Sequence, residues 1–273
     1  MNKCKLFIIT ALLLGFFTAR CQYSDSALDR LDFNDKSLID SETLKNAITD
    51  YMTMVQKASQ SQSNPSYNLI LAADNIMSRC YTSYPMYKFV FQYLIYGFSE
   101  MGANIAVDYM ISLPYFQYVN PTATETQEML AIAESYNRVK IGSPAPDINA
   151  VTIKGAAFDM YDIETQYVIL LFWSYSCQHC RDLIKDFGRF MRKNKDFSIV
   201  TVNVSGDLKK VRRMIRKNHL RKYYNICDGQ GWNSPIVEDF AVNATPSIIL
   251  LDENKTIIGK PFDIEELISI TKQ

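Results

Sequence analysis

Apolar residues in the first half of the chain recur at helical spacing. Leu44, Ala47, Ile48, Tyr51 and Val55 fall on one stripe, and Asp40 or Ser41 stands where an N-cap belongs. "NPSYNLILAADNIMSRC" predicts a second helix starting near Pro65. "YPMYKFVFQYLIYGFSEMG" predicts a third, with Pro85 in its first turn and Gly102 as its stop. "NIAVDYMISL" and "ATETQEMLAIAESYNRV" predict a fourth and a fifth. Residues 22–139 therefore read as a small all-α domain behind a polar lead-in at 22–40.

The period changes at Lys140. "NAVTIKGAAFDMYDI" alternates around a glycine, as a hairpin does. "YVILLFW" and "FSIVTVNVS" are unbroken apolar, β-rich runs, the pattern of strands covered on both faces. A helix is expected from about Cys180, with Leu183, Ile184, Phe187 and Phe190 on one side. A second covers 208–222, with Leu208, Val211 and Ile215 in register. "SIILLDENKTIIG" reads as strand–turn–strand, and "DIEELISITK" as a final helix with Asp263 and Glu266 in a capping box. The order ββ-β-α-β-α-β-β-α makes residues 140–273 an α/β domain, a mixed sheet flanked by helices.

Composition adds little to the fold but narrows the function. The chain has 273 residues, with 29 basic and 29 acidic side chains, so no global field draws it to nucleic acid. Local excess does occur. Lys209, Lys210, Arg212, Arg213, Arg216, Lys217, Arg221 and Lys222 cluster on one predicted helix, and strict apolar spacing marks them as its solvated face. Tyr81, Tyr84, Tyr87, Tyr93, Tyr96, Tyr109, Tyr115 and Tyr118 enrich the helical half. Packing with hydroxyls at the surface accounts for them better than an aromatic face for a partner.

The N-terminus has the texture of a targeting segment. Lys3 and Lys5 precede "LFIITALLLGFF", which is short for a membrane span, and polar sequence follows at once. Residues 1–21 are expected to be removed, with Ala19 and Cys21 as the small pair at the processing site. Cys21 is alternatively a lipid anchor, although Arg20 is a poor residue before a lipidated cysteine. Either outcome places the protein in the periplasm or cell envelope, where disulfides persist.

Six cysteines are present, four of them beyond the leader: Cys80, Cys177, Cys180 and Cys227. Cys177 and Cys180 form Cys-Gln-His-Cys where a strand ends and a helix begins. There, free backbone N–H groups and the helix dipole favour a thiolate on Cys177, while Cys180 is placed to attack a mixed disulfide. His179 within the motif could stabilise the thiolate or face solvent. A metal site is disfavoured, because only His179 and His219 supplement the four thiols and neither Cys80 nor Cys227 has a second ligand at the usual spacing. No cofactor is expected. Cys80 and Cys227 are expected as packed thiols rather than a bridge. Thr245-Pro246 stands directly before a strand. A cis bond there would bring the chain close to the cysteines and open the Thr245 backbone to an extended substrate.

With these motifs in order, residues 140–273 resemble a thioredoxin-fold domain of the TlpA/ResA type, the bacterial envelope thiol–disulfide oxidoreductases. "GSPAPDI" matches the family's leading loop, "ILLFWSYSCQHC" its strand and active site, and "FAVNATPSIILLDENKTII" its cis-proline loop and closing hairpin. The helical half is similar to N-terminal extensions of some members. The resemblance implies Cys177 as nucleophile, Cys180 as resolver and Pro246 beside them, with Trp173, His179 and Thr245 in support. It also implies protein thiols and disulfides as substrates, and a redox partner that resets the dithiol. The sequence departs from the family at Leu171, Leu183 and Lys185, where a strand carboxylate, a helix glutamate and a proline often stand, and Gln178 replaces a proline. The usual proton acceptor for Cys180 is thus missing. Two other readings stay open. One is a non-catalytic scaffold with a vestigial dithiol. The other is a thiol peroxidase, for which Ser174 fits but Leu170 stands where a proline belongs.

Overall fold

A computed structural model describes residues 27–59, 65–112, 119 and 121–272. The leader, Cys4, Cys21, Tyr115 and Tyr118 lie outside the described residues. The chain divides into two compact units. One contains the described residues up to Leu94 together with 119, 121 and 122, and the other contains 95–112 and 123–272.

In the first unit, helix α1 (Glu42–Ser59) packs against α2 (Pro65–Ser78). Ser41 caps α1, its hydroxyl accepting from the Leu44 N–H at 3.2 Å, while Asp40 pairs with Lys45 at 2.7 Å. Leu44, Ile48 and Val55 are fully buried, as their spacing requires. Helix α3 (Tyr84–Glu100) begins here, and its residues from Ile95 onward belong to the second unit. Tyr87 is buried and stacks on Phe91, with ring centroids 6.3 Å apart. The Tyr93 hydroxyl lies 2.8 Å from that of Thr49. Tyr87 thus packs by its ring, and Tyr93 stacks on Phe89 while its tip reaches a polar partner. Cys80 is buried, and its sulfur donates to the Ile76 carbonyl at 3.5 Å.

The second unit contains α4 (Asn104–Ser112) and α5 (Ala123–Arg138), then the hairpin β1 (Asn149–Val151) and β2 (Ala157–Asp159). β3 (Tyr167–Trp173), α6 (Gln178–Lys193), β4 (Phe197–Asn203), α7 (Leu208–Lys217) and β5 (Tyr224–Ile226) follow. A short helix α8 (Pro235–Asp239), β6 (Ser247–Leu251), β7 (Ile257–Gly259) and α9 (Ile264–Ile270) complete it. The sheet runs β5-β4-β3-β6-β7, with β5, β4 and β3 parallel and β6 and β7 antiparallel additions.

Side-chain alternation along β3 builds two cores. Val168, Leu170 and Phe172 enter one with Val200, Val237, Phe240 and Ile249. Ile169, Leu171 and Trp173 enter the other with Ile184, Phe187, Val211, Ile215 and Leu267 from the helices. This two-sided burial is what the unbroken apolar runs require. Gly188 lets α6 pass against the chain after α7, because a Cβ at that position would lie 2.1 Å from the Asn218 carbonyl oxygen.

Three local features differ from the sequence reading. β5 and α8 are too short to leave a periodic signal. α7 ends at Lys217 rather than continuing to 222. His219 adopts a left-handed φ of 61°, the Leu220 N–H reaches back to the Ile215 carbonyl, and the His219 N–H reaches that of Arg216. This is a Schellman stop, with Leu220 buried beneath it, and that buried leucine made the helical pattern look longer than it is. The eight basic residues from 209 to 222 are all exposed. Asp263 caps α9 through the Glu266 N–H at 2.9 Å, but the Glu266 carboxylate returns to the Phe262 N–H instead of that of Asp263.

Candidate active site

β3 ends at Trp173, and four residues carry the chain to α6. Cys177 is the N-cap of α6, in extended conformation, and its sulfur accepts from the Cys180 N–H at 3.2 Å. An orphan amide of the helix start is thus satisfied by a sulfur, in the field of the helix N-terminus. Cys177 is half-buried, whereas Cys180 is fully buried one turn on. Both are free thiols.

The Thr245–Pro246 bond is cis, as the sequence suggested. Its placement brings the Thr245 carbonyl oxygen within 3.6 Å of the Cys177 sulfur, which donates to it. The Thr245 side chain hydrogen-bonds Cys180. One residue therefore meets both sulfurs, the first through its backbone and the second through its hydroxyl.

Burial pushes the Cys180 thiol up to about 11, and its hydrogen bond with Cys177 adds to the rise. A backbone bond from Ser174 and the Thr245 side chain pull the other way. Leu171 and Leu183 share the core cluster around Cys180, together with Trp173, whose buried indole N–H has no hydrogen-bond partner among the described residues. Asp182 is exposed and accepts from the Gln178 amide at 3.0 Å, so it does not replace a carboxylate beneath Cys180. His179 is exposed, matching the solvent-facing alternative.

Sequence reasoning overlooked Arg181 and Ser205. Arg181 donates to the Tyr175 and Ser176 carbonyls at 2.8 and 3.0 Å and to the Gln178 side chain. The Ser205 hydroxyl accepts from the Tyr175 N–H at 3.1 Å. Lys210 sits over the Tyr175 ring, 5.2 Å from its centroid. A cation in the opening turn of a helix works against the dipole, and that anomaly was the available signal for Arg181.

Cys227 is half-buried and lines a separate cavity of about 510 Å³ with Arg212, Asp228 and the β1 strand; neither Cys177 nor Cys180 lines it. Burial raises its thiol. Among the described residues, no group of three or more His, Cys, Asp or Glu is placed to hold a metal, and no helix is long and apolar enough to cross a membrane.

Residues 165–257 match the protein family described as thioredoxin-like. A thioredoxin-like protein from Bacteroides caccae is similar over 90% of this chain and 89% of its own, at 15% identity and a TM-score of 0.57. The sheet and its helices have the thioredoxin fold. A domain of a possible thiol-disulfide isomerase from Cytophaga hutchinsonii is 26% identical, covering 49% of this chain and 91% of its own with a TM-score of 0.44. A thiol-disulfide oxidoreductase from Bacteroides fragilis is 24% identical, over 48% of this chain and 98% of its own, with a TM-score of 0.42. No curated protein matches the chain. On this thioredoxin fold, the Cys-Gln-His-Cys pair at the start of α6 is capable of thiol–disulfide exchange with protein substrates.

Proposed function

We propose that the protein is an exported thiol–disulfide oxidoreductase of the TlpA/ResA type, acting on protein disulfides through Cys177 and Cys180. The observation that carries this is the pairing of a half-exposed N-cap sulfur with a buried sulfur one turn on, both met by Thr245.

In the reducing direction, the Cys177 thiolate attacks a substrate disulfide, forming a mixed disulfide and releasing one substrate sulfur as a thiolate. Cys180 then loses its proton and attacks the Cys177 sulfur. The mixed disulfide breaks, the Cys177–Cys180 bond forms, and the second substrate thiolate leaves. The substrate gains two electrons and the dithiol loses them. The oxidising direction is the same path reversed. A redox partner of the same chemistry resets the pair. Pro246 holds the Thr245 backbone beside the sulfurs, where an extended substrate segment would lie, and Trp173 walls the buried thiol.

The leader at 1–21 directs export, with Cys21 as a candidate lipid anchor, and the domains divide at 139/140. By this reading residues 22–139 are the helical extension and residues 140–273 the catalytic domain, a division by sequence texture that differs from the compact units, in which 95–112 and 123–138 group with the sheet.

Replacing Cys180 by Ser tests the mechanism. The variant should accumulate mixed disulfides at Cys177 with a disulfide substrate, detectable by mass and reversed by dithiothreitol. No accumulation, or adducts at Cys80 or Cys227 alone, would overturn the assignment.

A further inference from the structure

We infer that Arg181 is a positioning residue for the dithiol, acting by the fork geometry of its guanidinium rather than by its charge. The inference rests on the exchange function proposed above. The four residues between β3 and α6 set where the Cys177 sulfur points, and they contain no glycine or proline to fix that path. Arg181 supplies the constraint. One of its nitrogens bonds two successive carbonyls, those of Tyr175 and Ser176, at 2.8 and 3.0 Å. The second of these carbonyls belongs to the peptide unit that enters Cys177, so its orientation sets the Cys177 backbone at φ −75°. From that backbone the sulfur reaches both the Cys180 N–H and the Thr245 carbonyl.

The other arm of the fork holds the Gln178 side-chain oxygen, and the Gln178 amide in turn donates to Asp182 at 3.0 Å. Gln178 occupies the first helical position, where a proline would be pre-organised by its ring. Here hydrogen bonds from Arg181 and to Asp182 order that position instead. Ser205 and Lys210 brace the loop from the far side, through the Tyr175 N–H and ring. A lysine at 181 would keep the charge, but it has no second nitrogen to hold the Gln178 side chain while the first holds the two carbonyls.

The consequence is kinetic. Attack by Cys180 on a mixed disulfide is intramolecular, and its rate depends on how well the Cys177 sulfur is held in line. The test uses the full chain carrying one equivalent of thionitrobenzoate as a mixed disulfide, mapped to Cys177. Release of the thionitrobenzoate thiolate by Cys180 is followed from pH 6 to 9 in wild type, R181K and R181A, alongside thermal melts. Release should slow about 10-fold in R181A and about 3-fold or more in R181K, with melting little changed and the pH profile not displaced. Full rescue by R181K, a displaced pH profile, or wild-type rates in both variants would overturn the proposal. Should R181A fail to fold, R181K alone decides. A wild type that does not release the probe refutes the exchange function itself, whereas an active wild type with unaffected variants refutes only the role of Arg181.

Discussion

Cys177 caps the helix that carries Cys180, the Cys180 N–H donating to the Cys177 sulfur at 3.2 Å. The two thiols therefore differ in environment before any disulfide forms. One lies half-exposed at the helix start, and the other is buried with its thiol pushed up to about 11. Limited alkylation of the reduced protein near neutral pH should modify Cys177 well before Cys180. Peptide mapping that finds Cys180 labelled first would reverse the two roles.

The raised Cys180 thiol sets the pH dependence of resolution. Only the thiolate attacks, and below about 11 its population grows roughly tenfold per pH unit. Resolution of a mixed disulfide should accordingly climb steeply from pH 6 to 9. Leu183→Glu puts a carboxylate in the cluster around Cys180, where it can accept the proton. That variant should gain on the order of 10-fold near pH 7 and show a flatter profile. Stopped-flow rates on both proteins check this, and a wild type already fast and flat would show that another group takes the proton.

Thr245 provides a second handle on the same step. Its side chain hydrogen-bonds Cys180 and lowers that thiol against the effect of burial. Thr245→Val keeps the shape and removes the hydroxyl, so the Cys180 thiol should rise further. Resolution should slow by roughly 3- to 10-fold at pH 7, since one lost hydrogen bond to a charged group is worth about 1.5–3 kcal/mol when fully made. First attack by Cys177 should change less, because it meets the Thr245 backbone and not its hydroxyl.

Lys260 makes a prediction about stability. It is 6% exposed, its ammonium donates to the Ser99 hydroxyl at 2.6 Å, and burial lowers it from 10.5 to about 8 while Glu100 partly opposes the shift. Between these two values the unfolded chain holds a proton that the folded chain has released. Stability attributable to Lys260 therefore rises with pH from about 8 to 10.5, by about 3 kcal/mol at most. Lys260→Met should lose that rise, and melts of both proteins across the window would show it as a pH-dependent difference. A constant difference would mean that Lys260 titrates as an exposed lysine does.

Much of this was legible in the sequence. β3 and β4 announced themselves because two-sided burial makes an unbroken apolar run, and α1 and α6 because one-sided burial makes a stripe. Cys177, Cys180 and Thr245-Pro246 were readable from position alone. β5 and α8 were not, since a strand of three residues and a helix of five are set by their neighbours rather than by local period. The early stop of α7 lay hidden behind Leu220, which is buried but beyond the helix. Ser205 and the loop contacts of Arg181 escaped because they are made to main-chain groups of Tyr175 and Ser176, which carry no residue-type signature; only the cation at a helix start hinted at Arg181.

The most direct test of the central claim is turnover of insulin disulfides by wild type and Cys177→Ser in the presence of a small-molecule dithiol. Wild type should catalyse the reduction and Cys177→Ser should fall to the uncatalysed rate. Equal rates for the two proteins would contradict thiol–disulfide exchange through Cys177.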